Sequence, residues 1–412
     1  MKRRMFLQLP AAAAGLPPLF YDRYSTSTEP GAAPPWEAPL FHLERFSKSP
    51  IVAEKFELLR AGRHFFLRAV SRDGAEGIAL VKQIEDYLPM LTRLAMPFFA
   101  GKDARALERL VDEFNVRHYK LAGQALWAPA AYVEQAMFDL FGRTVNRPLG
   151  ELLGGVRRKE IPVYLSGSVR ETSAEEEVEI YAQALAASGA QAVKFKIGGR
   201  MARNADQYPG RTETMLRLAR KRLPADTLIY ADVNGGWNAA KAISMGPFLR
   251  EIGVGFLEEP CPWEEVSETK RAADALDIPI AFGECDSSPW KFDWMIRTRA
   301  LDIVQPDLNY NGGFIRTARV ARMAAAAGIP ITPHNTQTGA AACNILQFAS
   351  AIPNIGPYME FPFRGKYSDE SWHTPHFRIR AGKIAVPEGP GLGIRIDPDF
   401  LKKAAIIASV SA

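Results

Sequence analysis

The stretch AVKFKIGG at residues 192–199 decides the reading of this chain: a short apolar run carries Lys194 and Lys196 and ends on a glycine pair. The same plan recurs downstream. YADVNGGW (230–237) places Asp232, FLEEP (256–260) Glu258 and FGE (282–284) Glu284 at the ends of apolar runs. QPDLNYNGG (305–313), ITPH (331–334) and YMEF (358–361) do the same for Asp307, His334 and Glu360. From Lys196 to Glu360 the successive gaps are 36, 26, 26, 23, 27 and 26 residues. A strand, a helix and two short loops take about that many residues, so each gap reads as one βα unit. Reactive side chains at the C-terminal ends of successive strands predict a (β/α)8 barrel with its active site at that face.

Working outward, eight strands are expected at 161–165, 192–196, 228–233, 255–258, 280–284, 302–306, 330–334 and 358–360. Most are continuous apolar runs, as strands buried on both faces require. Helical patterns alternate with them, for example at 175–187 and 314–327. Ahead of the barrel, FFLRAVS (65–71), a turn at Arg72-Asp73-Gly74 and the run 76–81 predict a hairpin. Helices are expected at about 104–119 and 130–144. The domain plan is therefore a leader and unstructured tether at 1–40, an α+β capping domain at 41–158, the barrel at 159–376, and a segment returning to the cap at 377–412. The glycines of GPGLG (389–393) lack the strand-to-helix setting of a phosphate loop and read as turns.

Composition narrows the function classes. The chain has 412 residues, 47% hydrophobic and 24% charged, which is ordinary for a globular protein. Its net charge of +5 falls to +2 without Lys2, Arg3 and Arg4, and no basic run is interleaved with aromatics, so nucleic acid is not an expected partner. Three cysteines do not make a disulfide framework. No apolar run after the N-terminus is long enough to span a membrane. MKRRMFLQLPAAAAG (1–15) pairs Arg3-Arg4 with Phe6-Leu7 and an alanine run, a pattern similar to a twin-arginine export signal, so a periplasmic or exported location is expected.

The chemistry follows from the strand ends. Asp232, Glu258 and Glu284 would converge above the sheet, and three carboxylates at one point repel unless a cation sits among them. Oxygen ligands without His or Cys favour Mg²⁺. Glu259, next to Glu258, is expected on the opposite face of an extended strand with a structural role. Lys194 and Lys196 share a face. Two nearby ammoniums lower each other's pKa, which would leave Lys196 as a base and Lys194 as a charged holder of a substrate oxygen. Asp307 would orient His334. Glu360, if desolvated, would be protonated and donate a hydrogen bond to a developing oxyanion. A base contributes about 10²- to 10⁴-fold, short of the roughly 10⁶-fold or more typical of enzymes, so charge stabilisation by Mg²⁺, Lys194 and Glu360 is required as well.

As a set, these motifs resemble the enolase superfamily, specifically its mandelate racemase-like subgroup; RPLGELLGG (147–155) and GPGLG (389–393) add to the likeness. The resemblance implies Mg²⁺ on Asp232, Glu258 and Glu284, acid/base catalysis by Lys196 and the His334–Asp307 pair, and Lys194 and Glu360 flanking the substrate. It also implies a cap whose loops, here around 44–62, close over the site. Asp307 in place of a lysine argues against the muconate-lactonising branch, and Glu284 in place of an asparagine against a glucarate dehydratase-like assignment. The activity expected is dehydration of a sugar acid, with racemisation or epimerisation of a 2-hydroxy acid as the alternative. The expected partner is a small-molecule carboxylate, and the expected assembly a homo-oligomer. A non-catalytic binding protein would have lost one or more of the seven strand-end residues, and all are present.

Overall fold

The computed structural model describes residues 35–82, 84–363 and 371–412, and the twin-arginine segment lies outside them. Strands β1 (Val52–Ala61), β2 (His64–Ser71) and β3 (Glu76–Val81) form an antiparallel meander, and the C-terminal strand Ala405–Ser411 pairs antiparallel with β1. The expected hairpin is the β2–β3 pair. Helix α1 (Leu107–His118) follows, and helix α2 (Gln124–Thr144) packs on this sheet, buried at every position from Leu126 to Gly142. It starts six residues before the expected 130 because Pro129, which reads as a helix opener, sits inside it.

The barrel alternates β4 (Glu160–Ser166), α3 (Ala174–Ser188), β5 (Ala192–Lys196), α4 (Arg211–Arg222), β6 (Leu228–Asp232), α5 (Ala239–Ile252), β7 (Val254–Glu258) and α6 (Val266–Ala275). It continues through β8 (Ile280–Phe282), α7 (Pro289–Thr298), β9 (Ile303–Val304), α8 (Phe314–Ala326), α9 (Cys343–Ala351) and β10 (Met359–Pro362). The parallel sheet runs β9-β8-β7-β6-β5-β4-β10. Local chemistry sets these units. Ser173 Oγ accepts the Glu176 amide at the start of α3, three glutamates oppose the positive helix end, and Gly189 closes the helix in a left-handed conformation.

The seventh expected strand, 330–334, is reduced to single bridges joining Ile331 to Val304 and Ile355. Pro330 and Pro333 lack the N–H groups a ladder needs, so the ring closes there through isolated bonds. The expected tether also has structure at its end. Trp36 is buried, its ring meets Trp290 edge-on at 4.6 Å, and Arg322 donates to the carbonyls of Trp36 and Ala38. The GPGLG segment docks on the cap: the Leu392 amide donates to Asp139 Oδ1 at 2.7 Å, and a Cβ on Gly391 would lie 2.1 Å from that oxygen. Among the described residues, no helix is long and apolar enough to cross a membrane.

Candidate active site

Register brings the strand-end side chains together. Lys196 lies beside Asp232 across β5 and β6, and Asp232 beside Glu258 across β6 and β7. Glu284 follows β8 by two residues, after Gly283. Asp232, Glu258 and Glu284 each place an oxygen within 4.8 Å of the others. Lys194 is fully buried against the ring of Tyr164, 2.5 Å from Glu258, 2.7 Å from Glu360 and 3.7 Å from Asp232. Lys196 pairs with Asp232. His334 Nδ1 lies 2.8 Å from Asp307 Oδ2, and its Nε2 lies 3.6 Å from Glu284. All eight residues expected at the site therefore meet at one mouth. Its cavity, about 480 Å³, is lined by Lys196, Glu284, His334 and Glu360.

Electrostatics here correct two expectations. Burial works against a charged Lys194, but Glu258 and Glu360 outweigh it and hold its pKa well above the ordinary value; a neighbouring ammonium does not set it. Burial alone would also raise Glu360, yet Lys194 and His334 hold it down at about 2, so Glu360 is ionised and not the protonated donor expected. Burial opposes a charged imidazole at His334, and the Glu284 carboxylate with the Asp307 hydrogen bond lifts it to about 9.

Glu259 is a third correction. Its φ of 39° breaks strand alternation right after β7, so it does not face away but lines the same cavity beside Glu284. The loop expected over the site, 44–62, is another: most of it is β1, an inner strand of the cap sheet. The cap reaches the mouth through Lys82 and Gln124 instead.

Supporting residues absent from the sequence reading complete the site. Ser166 donates to Glu360 Oε1 at 2.6 Å, Gln305 to Glu258 Oε2 at 2.8 Å, and the Asn335 amide to Glu360 Oε2 at 3.0 Å. The Asn234 amide donates to Asp232 at 2.8 Å, and Arg170 holds the Asn234 side chain at 2.9 Å. Ser166 ends the first barrel strand and Gln305 precedes Asp307 by two, so strand-end position and alternation both pointed to them. Arg170, on a loop, left no signal.

The donor set suits a hard divalent cation. Four buried or half-buried carboxylates, Asp232, Glu258, Glu284 and Glu360, face two lysines, and burial pushes Glu258 up to about 8 against the pull of Lys194. Glu284 Oε2 is buried without a hydrogen-bond partner among the described residues. Mg²⁺, which takes oxygen ligands and keeps water or substrate in its remaining positions, fits Asp232, Glu258 and Glu284.

A barrel with carboxylates, lysines and a histidine gathered at its C-terminal mouth has the layout of an enzyme active site. The chain belongs to the enolase superfamily: residues 177–400 match the family described as enolase C-terminal domain-like. It is 27% identical over 74% of its length to 80% of an arabinonate dehydratase from Saccharolobus solfataricus. It is 29% identical over 73% of its length to 80% of a D-galactarolactone cycloisomerase from Agrobacterium fabrum. Among solved structures, it resembles a mandelate racemase/muconate lactonizing protein from Paracoccus denitrificans complexed with magnesium (TM-score 0.80, 27% identity, 87% of this chain and all of that one).

Proposed function

We propose that this chain is a Mg²⁺-dependent acid-sugar dehydratase that converts an aldonate- or aldarate-type substrate to a 2-keto-3-deoxy acid. The observation that carries the reading is that Lys196 and His334 come from separate parts of the barrel and line one cavity, with the carboxylate triad beside them. Lys196 takes the proton from the carbon α to the substrate carboxylate, giving an enediolate. Lys194, kept cationic by Glu258 and Glu360, balances the charge that grows on the carboxylate oxygens. His334, protonated at neutral pH and steadied by Asp307, gives its proton to the departing β-hydroxyl, which leaves as water. The resulting enol tautomerises to the keto acid. When bound, Mg²⁺ would supply Lewis-acid polarisation of the substrate carboxylate. The same two bases on one carbon also suit racemisation or epimerisation, the second reading.

The test is a panel of sugar acids with purified protein and Mg²⁺ in D₂O, reading keto acid and α-proton exchange together. Keto acid formation abolished by EDTA is expected. Exchange or inversion without keto acid would establish the racemase reading, and silence across the panel would remove both. With a substrate in hand, turnover is expected to fall at alkaline pH as His334 loses the proton that its hydrogen bond to Asp307 helps it to hold. His334→Asn should lose turnover by about 10²- to 10⁴-fold while keeping exchange. Loss of exchange too would make His334 the first base.

A further inference from the structure

Glu259 is a buried acid that the proposed reaction leaves unused. Its side chain is 4% exposed, and its Oε1 has no hydrogen-bond partner among the described residues. The left-handed turn after β7 aims it into the mouth, where its carboxylate, that of Glu284 and the thiol of Cys285 bring one ligand atom each within 4.8 Å of the others. Cys285 is a free cysteine and, unlike Cys261 and Cys343, is not fully buried; it lines the same cavity. Gln124 holds its carbonyl at 3.0 Å, so the loop bearing the thiol is anchored to the cap. Two acids and a cysteine in proximity would mean little alone. The orphaned Glu259 oxygen, an acceptor withdrawn from water with nothing to accept from, is what points to a ligand.

We propose that Glu259, Glu284 and Cys285 form a second cation site that takes a thiophilic divalent ion, with Zn²⁺ the fitting case, beside the oxygen-only triad and sharing Glu284 with it. Thiolate ligation selects zinc over magnesium, and three protein ligands plus water complete a tetrahedral zinc site. On binding, a sulfur–metal bond forms, the thiol proton leaves to solvent and no redox change occurs. Because Glu284 belongs to both groups, zinc here competes with the triad and inhibits the Mg²⁺-loaded protein.

The test uses the full chain loaded with Mg²⁺ and titrated with Cd²⁺, a zinc stand-in whose bond to a thiolate gives an ultraviolet charge-transfer band. Zn²⁺ affinity is then measured by displacement of the Cd²⁺. A band that Cys285→Ser removes is expected. Cys285→Ser and Glu259→Gln should each weaken Zn²⁺ binding by at least about tenfold, since even outer-shell partners carry that much. Circular dichroism establishes that the variants fold, and Cys285→Ala replaces the serine variant if serine disturbs the loop. No band in the parent, a band that survives loss of Cys285, or undiminished Zn²⁺ binding by Glu259→Gln would overturn the site. Binding is read without turnover, so this outcome is independent of the proposed reaction.

Discussion

Two groups of buried acids in this molecule look alike by residue type and behave differently. On α2, Glu134 and Asp139 are fully buried, and all four of their carboxylate oxygens are used. Glu134 accepts the amides of Phe314 and Ile315 at 2.6 and 3.0 Å, at the positive end of α8. Asp139 accepts Ile78, Leu392 and Arg143 at 2.7 to 2.8 Å, tying the cap hairpin and the C-terminal segment to one helix. At the barrel mouth, Glu259 Oε1 and Glu284 Oε2 have no hydrogen-bond partner among the described residues, and Glu258 meets the side chains of Lys194 and Gln305 in place of backbone amides. Satisfied buried acids fasten the fold, whereas under-satisfied ones leave bonding capacity for a cation and a substrate.

The comparison breaks first on Glu258→Gln. Turnover should fall by about 10⁴-fold or more, roughly 5 kcal/mol of barrier, while the melting temperature changes little, because the isosteric amide still offers Lys194 an oxygen and Glu360 remains as its ionic partner. A variant that unfolded instead would move Glu258 into the structural group. The mirror experiment is Asp139→Ala, which strands two buried amides and an arginine. It should cost about 3–5 kcal/mol of stability in urea titrations and leave activity per folded molecule within about twofold. If activity fell while stability held, the division between the two groups would be wrong.

The mouth was far more legible in the sequence than the fasteners. A parallel strand buried on both faces leaves an apolar run, and the polar residue ending it announces itself, which is how Asp232, Glu258 and His334 were found. Glu134 and Asp139 sit mid-helix, and their partners lie up to 253 residues away, so no local pattern marks them. The same distance hid β1, whose Glu54, Lys55 and Glu57 blur its alternation, and the C-terminal strand that pairs with it. Alternation puts Glu259 on the wrong face because its left-handed backbone breaks the period of two. The ionised state of Glu360 leaves no local sign because it depends on Lys194, 166 residues earlier in the chain.

The smallest effect sharpens the comparison from the side of the cations. Arg143 is matched to Asp139, but Lys82 at the end of the cap sheet has no carboxylate within 4.0 Å among the described residues. It contacts the Thr336 hydroxyl and lies 5.2 Å from the Tyr310 ring, at the rim of the cavity. An ammonium held by neutral groups beside a substrate cavity is placed to meet an oxygen of the substrate away from the reacting carbon. Lys82→Ala should therefore raise KM by about tenfold, near 1.4 kcal/mol, with kcat changed by no more than about twofold because the interaction is the same in ground and transition states. Steady-state kinetics on the substrate found by the panel give both numbers. An unchanged KM with a lowered melting temperature would make Lys82 a fastener like Arg143. A fall in kcat would place it among the groups that act on the transition state, since it lies close enough to Asp307 to lower that carboxylate's pKa, after burial and His334 have set the larger part of it.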